Sequence, residues 1–420
     1  MTPGDAEPSP AEPPALPAGS RDVLPVEASE LREIEAALRD RFLAWGYREV
    51  MTPVLEFAAV MDRAQEGGLG RAFRLFDESG RVLVLRPDLT IPVTRLIAGR
   101  LADHPGPVRV FYVARAFRPP RPGRAQPSEL RQAGVELVGA PGPAADAEAL
   151  ALLVESLQAA GLAEPQVTVG DVWLIAAVLA GAGVPEEVAA RMRRAAAERD
   201  LVEWRAEARA LGLSGTATTL VEDLPRLRGG RELLARIARE VPDAAEECER
   251  LGVMLDLLDR HGIGGAVHLD LGVLRDRPYY SGIVVEAYAP GVGVPIAAGG
   301  RYDGLAARFG RPRPAVGFAI ALDDLHRAVV AQRAEPSRLR PGVVLVGGMD
   351  DDLEVARAVR RAGVPVVALE RGDPSGEGLA AADGWRFVAR RSGGEFELHD
   401  TATGERAACR SLAEEIASRA

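Results

Sequence analysis

The run PAVGFAIALDDLHRA, residues 314–328, decides how the rest of the chain is read. It is apolar from Ala315 to Leu322, the mark of a strand buried on both faces, and then Asp323 and Asp324 arrive side by side, before Leu325, His326 and Arg327. A buried strand that ends in two adjacent carboxylates opens either on the surface or on a cavity. Working outward, further short apolar runs stand at 73–76, 82–85, 108–113, 133–138, 266–271 and 283–288, the first two separated by the turn residues Glu78, Ser79 and Gly80. A helical spacing of Leu31, Ile34, Ala37, Leu38, Phe42 and Leu43 precedes them, with Gly46 as its stop and a strand from Tyr47 to Met51 after it. Strands and helices in this order predict an α+β fold, a largely antiparallel sheet flanked by helices.

The 420 residues exceed one ordinary core and predict two domains. Residues 1–19 carry six prolines and few large apolar side chains, so a disordered tail is expected there. The main domain is expected over residues 20–332. Within it, about 144–262 reads as a helical region rich in alanine, leucine, glutamate and arginine, broken at Gly161, Gly181, Gly183 and Gly212. A polar, proline-flanked linker follows, and residues 342–420, with VVLVGG, VPVVALE and RFVARR around helical stretches, predict a small α/β C-terminal domain.

Composition excludes several kinds of chemistry. All 51 basic residues are arginine, so a phosphate-loop lysine, a Schiff base and a lysine general base are absent. A net charge of −10 argues against a nucleic-acid-binding surface overall. Cys248 and Cys409 lack CxxC spacing and read as free thiols of a reducing compartment. The five histidines show no ligand spacing, so no metal site is expected. No 18-residue apolar run and no secretory pattern appears, which points to the cytoplasm and away from the membrane.

Three clusters carry candidate chemistry. In VLRPDLTIPVTR, Arg86, Asp88 and Arg95 follow a strand, where charges suit a solvated turn as well as a site. In RAFRPPRPGRAQPSELRQAGVELVG, Arg115, Arg118, Arg121, Arg124 and Arg131 surround a proline-rich loop. Guanidinium groups pair bidentately with phosphate or carboxylate, so Arg118 and Arg124 are candidates for anion binding, although an exposed hairpin tip reads the same way. Gln132 and Glu136, four apart, share one face of a strand, and if that face is interior they call for a polar ligand. In the third cluster, Arg275, Tyr279 and Tyr280 precede a strand, and Gly299 and Gly300 adjoin Arg301, Tyr302 and Asp303.

The order GSRDVLP, GYREVMTPVLE, LRPDLT, FRPPRPGR, ELRQAGVELVG, RPYYSGIVVEAY, AGGRYDGL and PAVGFAIALDDL resembles the class II aminoacyl-tRNA synthetase core of the histidyl kind, over roughly residues 19–330. The resemblance implies an antiparallel sheet flanked by helices and a homodimer formed through the GYREVMTP region. In the synthetases the run matching 314–325 ends in glutamate and arginine, and the arginine grips the ATP triphosphate; here Asp324 stands in its place. Exchanging +1 for −1 there turns attraction into repulsion, each on the order of 4 kcal/mol at ~4 Å and an effective dielectric near 20. The arginine–any–glutamate of the ATP loop is here Arg118-Pro119-Pro120. By contrast, Asp88, Gln132, Glu136, Arg275, Tyr279, Tyr280 and Tyr302 match positions that surround histidine, while Asp276 and Pro278 depart from the double-tyrosine motif.

A retained amino-acid pocket without the activation machinery is the pattern of the ATP phosphoribosyltransferase regulatory subunits, paralogues of the synthetases, and the stretch beginning VTVGDVWLIAAVL resembles them too. The resemblance implies a non-catalytic subunit without cofactor. Its partner would be a short-form catalytic subunit in the first step of histidine biosynthesis, and L-histidine its feedback effector. The C-terminal 80 residues carry 10 arginines against 14 acidic residues, so tRNA is not expected as a partner. An active histidyl-tRNA synthetase and a stand-alone amino-acid-binding regulator are the alternatives.

Overall fold

A computed structural model describes residues 15–64, 70–120, 127–212, 216–274, 279–333, 342–347, 353–369, 376–392 and 394–419. The chain divides into two units, Met1–Arg21 with Glu33–Ala331 and Asp22–Arg32 with Gln332–Ala420. In chain order the strands of the first unit are β1 (Arg48–Glu49), β2 (Leu55–Phe57), β3 (Arg74–Phe76), β4 (Val82–Leu85), β5 (Val108–Phe117) and β6 (Glu129–Val138). They continue with β7 (Gln166–Asp171), β8 (Arg228–Gly229), β9 (Val267–Asp270), β10 (Ile283–Tyr288), β11 (Ala297–Arg301) and β12 (Ala315–Ala321).

Nine of them form one sheet in the order β1-β5-β6-β12-β11-β10-β7-β9-β8, and β2, β4 and β3 form a small sheet of their own. The centre from β5 to β7 is antiparallel, while the pairs β1/β5 and β7/β9 are parallel. The run that opened the sequence analysis is β12, held between β6 and β11. Its central position explains the unbroken apolar text, since both faces of a central strand are covered. Only Ala319 and Ala321 escape full burial along it.

Three expectations need correction. The helical region over 144–262 is interrupted by β7, which pairs with β10 and β9 inside the main sheet. Its alternation of Val167, Thr168 and Val169 is a period-two signal only a few residues long, placed between alanine- and leucine-rich helices. Asp171 ends the strand and caps the helix Val172–Gly181, accepting the Leu174 N–H at 2.7 Å. The tail is the second. Residues 1–14 lie outside the described residues, but Ala18 and Gly19 do not hang free: the Ser128 hydroxyl donates to the Ala18 carbonyl at 2.7 Å and the Ser128 N–H to that of Gly19 at 2.8 Å. The strand expected from Tyr47 to Met51 is reduced to Arg48–Glu49.

Helix Gly142–Ala159 packs against helix Ala245–Arg260 and β12, burying Leu150, Leu152, Leu153 and Leu157. Between β7 and β9 the described elements are helices apart from the two-residue β8, and Trp204 is fixed there by a 2.8 Å bond from its indole N–H to the Val221 carbonyl. In the second unit β13 (Val343–Val346) lies between β14 (Val366–Leu369) and β15 (Phe387–Ser392), all parallel. Then β16 (Glu395–Asp400) and β17 (Arg406–Cys409) continue antiparallel. Its core is Val343, Leu345, Phe387, Leu398 and Ile416. Among the described residues no helix is long and apolar enough to cross a membrane.

Candidate functional site

Side chains alternate along β6, so Gln132, Gly134 and Glu136 share a face. The register sets them opposite Ala321, Ala319 and Gly317 of β12, and opposite Ala114, Tyr112 and Val110 of β5. Small residues on this face are a steric requirement. A Cβ on Gly317 would collide with the Val135 carbonyl and the Glu136 carboxyl, and one on Gly134 with the Tyr112 phenol. The room they leave is a cavity of about 210 Å³.

Six of the expected residues line it: Asp88, Arg118, Gln132, Tyr279, Tyr280 and Tyr302. Glu136 is 1% exposed and stands behind the wall, where the Tyr302 hydroxyl donates to its Oε2. Burial pushes the Glu136 carboxyl up to about 8; hydrogen bonds with Tyr302 and Thr90 pull against this, and the nearby Asp88 charge adds to the rise. Near neutral pH this carboxyl therefore holds its proton. The phenols of Tyr112 and Tyr302 are raised by the same burial and by Glu136 beside them.

Asp88 is buried ahead of the helix Thr90–Arg100, and its Oδ1 accepts the Ile91 N–H at 3.1 Å. A carboxylate at this end of a helix is favoured by the helix dipole. The Tyr279 and Tyr280 rings lie 5.0 Å apart, and Tyr279 meets Tyr302 edge-on at 6.1 Å. Arg118 is aimed by a 2.8 Å bond from its Nε to the Pro87 carbonyl. Arg275 and Arg124, like Arg121, fall outside the described residues.

Other charges from the same clusters serve the framework. Arg86 donates to the carbonyls of Thr52, Pro53 and Arg115 at 2.6, 3.1 and 2.9 Å. Arg95 pairs with Glu56 (Nε to Oε1, 3.0 Å) and Arg115 with Glu129 at 2.6 Å. Residue types alone did not identify two members of the network. Thr90 bonds to both Tyr112 and Glu136, and Tyr112 lines the cavity. The alternation of VRVFYVA carried a signal for Tyr112, because it aligns that ring with the Glu136 face once β5 and β6 are paired.

The two carboxylates that end β12 divide between surface and cavity. Asp323 turns to Arg131 at 2.7 Å and to Arg21 at 2.6 Å. Asp324 lines the cavity and pairs with Arg327 one helical turn on. The chemistry on offer is thus a small polar pocket with tyrosines and a protonated carboxyl at one end and a carboxylate at the other.

A family model described as histidyl-tRNA synthetase matches residues 19–325. An ATP phosphoribosyltransferase regulatory subunit of Moorella thermoacetica is 41% identical over 357 residues, 84% of this chain and 91% of its own length. One of Symbiobacterium thermophilum is 40% identical over 382 residues, 89% and 95% of the two chains. A solved structure from Bacillus halodurans, described as an ATP phosphoribosyltransferase regulatory subunit/histidyl-tRNA synthetase, superposes with a TM-score of 0.80 at 30% identity, covering 91% of this chain and 99% of the other. A Nostoc histidyl-tRNA synthetase reaches 0.82 at 22% identity over 97% and 99%, a likeness of fold alone. The chain belongs to the histidyl-tRNA synthetase-like family, among the ATP phosphoribosyltransferase regulatory subunits.

Proposed function

We infer that this chain is the regulatory subunit of ATP phosphoribosyltransferase, acting in histidine biosynthesis with a catalytic subunit that carries out the phosphoribosyl transfer. The observation that carries the regulatory reading is the cavity's unequal repair. Its amino-acid side keeps Asp88, Gln132, Tyr279, Tyr280 and Tyr302, whereas Asp324 lines it where the resemblance calls for the triphosphate-gripping arginine. A carboxylate there repels the γ-phosphate region of ATP, so the chain is read as non-catalytic.

In this reading L-histidine is the effector. Asp88 takes the ammonium, Gln132 and the tyrosines surround the ligand, and Glu136 acts through Tyr302 on the imidazole. Arg275 as a histidine contact and Arg124 as an anion contact rest on the sequence resemblance and loop composition. Feedback requires histidine to bind the less active state of the complex more tightly, and a useful coupling is roughly 1–3 kcal/mol.

The chain is also read as a homodimer within the hetero-oligomer. Across the small sheet, Phe57 pairs with Leu83 and Leu83 with Leu75, so one face presents a row of apolar side chains. Leu55, Phe57 and Leu75 on that face remain about two-fifths exposed, and Met51 just before it is 82% exposed. Such a patch on a lone chain suits a second copy. The acidic C-terminal unit gives no support to tRNA as a partner.

The test is reconstitution. Mixed with a short-form catalytic subunit, the chain should elicit phosphoribosyl transfer that histidine inhibits, with no transfer from the chain alone. Transfer that histidine leaves untouched would remove the effector reading, and no gain in the mixture would remove the subunit reading.

A further inference from the structure

The first unit also holds a larger cavity than the one just described. It measures about 910 Å³ and lies at the far end of the same sheet, where β10, β7, β9 and β8 meet the helical insertion. The register shows that the two cavities share a sheet face. Tyr112 is level with Gly134, Ala319, Ala298, Glu286, Thr168 and His268 across β5, β6, β12, β11, β10, β7 and β9. Tyr112, Ala319 and Ala298 of this row line the small cavity, Thr168 and His268 line the large one, and Glu286 stands between them.

Three guanidiniums line the large cavity, those of Arg199, Arg228 and Arg231. Each is paired, yet each side chain remains about half exposed or more. Arg228 Nε meets Asp270 at 2.7 Å, Arg199 Nη2 meets Glu286 at 3.2 Å, and Arg231 meets Asp256 and Asp259 at 2.6 and 2.7 Å. A guanidinium has five N–H donors; Arg228 meets Asp270 through Nε, and Arg199 meets Glu286 and, at 3.5 Å, the Tyr288 hydroxyl through Nη2 alone, so both keep donors for an incoming anion. Asp270, Glu232 and Asp259 line the same space, as do the Thr168 hydroxyl and the Tyr288 phenol, and Leu201, Leu255 and Val273 supply apolar wall.

This mixture selects a ligand class by elimination. A ligand that is anionic throughout meets the carboxylates, and a cation meets three arginines. A free amino acid brings a carboxylate with two oxygens, fewer than a phosphate's three for the guanidiniums of Arg199 and Arg228. One anionic group joined to a body of hydroxyls satisfies both sets, with guanidiniums on the anion and carboxylates accepting from the hydroxyls. We propose that the large cavity is a binding site for a phosphorylated pentose, its phosphate held by Arg199 and Arg228 and its hydroxyls by Asp270 and Thr168. The pentose phosphate is either free or part of a nucleotide. This site does not depend on histidine binding at the small cavity, and either can fail without the other.

The test is calorimetric titration of the full chain, separately with ribose 5-phosphate, AMP and inorganic phosphate. Saturable binding of ribose 5-phosphate, tighter than inorganic phosphate and weakened about tenfold or more by Arg199→Gln or Arg228→Gln, is expected. The glutamine amide can still donate to Glu286 or Asp270, which are themselves buried, and thermal unfolding read beside the titration confirms that the fold is kept. A tighter response to AMP than to ribose 5-phosphate supports the site with a nucleotide as its source. The absence of saturable binding by either pentose phosphate overturns the proposal. So does equal binding of inorganic phosphate alone, which would show an adventitious ion only, or binding that both arginine variants leave unchanged.

Discussion

Two buried acidic sites in the first unit are solved in opposite ways. At the end of β11, Arg301 is 1% exposed and pairs with the fully buried Asp146 at 2.7 Å and with Asp303 at 3.0 Å, while Arg250 pairs with the fully buried Asp171 at 2.7 Å. Burial raises the Asp146 and Asp171 carboxyls, and the arginines pull them back. One residue further along the chain, Tyr302 reaches Glu136, whose raised carboxyl has hydroxyl partners and no guanidinium among the causes of its shift. Buried acids paired with arginine belong to the framework, and a buried acid left to hydroxyls behind a cavity wall can act on a ligand through them.

The largest effect should come from breaking the framework pair. Arg301→Met leaves Asp146 buried without its main partner, and denaturant unfolding should report a loss of about 3–5 kcal/mol. A loss below ~1 kcal/mol would erase the distinction between the two sites.

Glu136 predicts a pH signature with a definite sign. The folded protein holds this proton up to about 8, the unfolded chain only to 4.5. Between those values the folded state binds more protons, so the contribution is complete below pH 4.5 and is lost as pH rises through 8. Glu136→Gln should remove that part of the decline, worth on the order of a few kcal/mol across the window, as read from unfolding at pH 5 and pH 8.5. An unchanged slope would mean that Glu136 is already ionised at neutral pH.

Asp88→Asn should weaken histidine about tenfold by calorimetry while leaving unfolding nearly unchanged, because an amide still accepts the Ile91 N–H. Smallest is Arg327→Ala, which breaks an ion pair whose arginine is 64% exposed. Stability should move by less than ~0.5 kcal/mol, and a larger loss would place Asp324 in the framework after all.

The sequence made much of this legible. The strand β12 followed from an unbroken apolar run, and the facing of Gln132 and Glu136 followed from a spacing of four on a strand. Six cavity residues were named from motif order, and Asp324, singled out by the same order, lines the cavity with them. What stayed hidden was whatever depends on pairing between distant strands. Tyr112 and Thr90 join the site only through the β5/β6 register and the start of the following helix. The strand β7 was masked because its few alternating residues lie between long helices, and its place between β10 and β9 is set by the sheet. Tertiary pairing also built the large cavity, whose polar row spans β10, β7 and β9 without any local motif.

The most direct test is calorimetric titration of the purified chain with histidine and then ATP, with pyrophosphate exchange measured on the same sample. The account predicts saturable histidine binding, no saturable ATP heat attributable to the small cavity, and no exchange. Histidine-dependent ATP–pyrophosphate exchange by the chain alone would contradict it, because some other group would then be gripping the triphosphate beside Asp324.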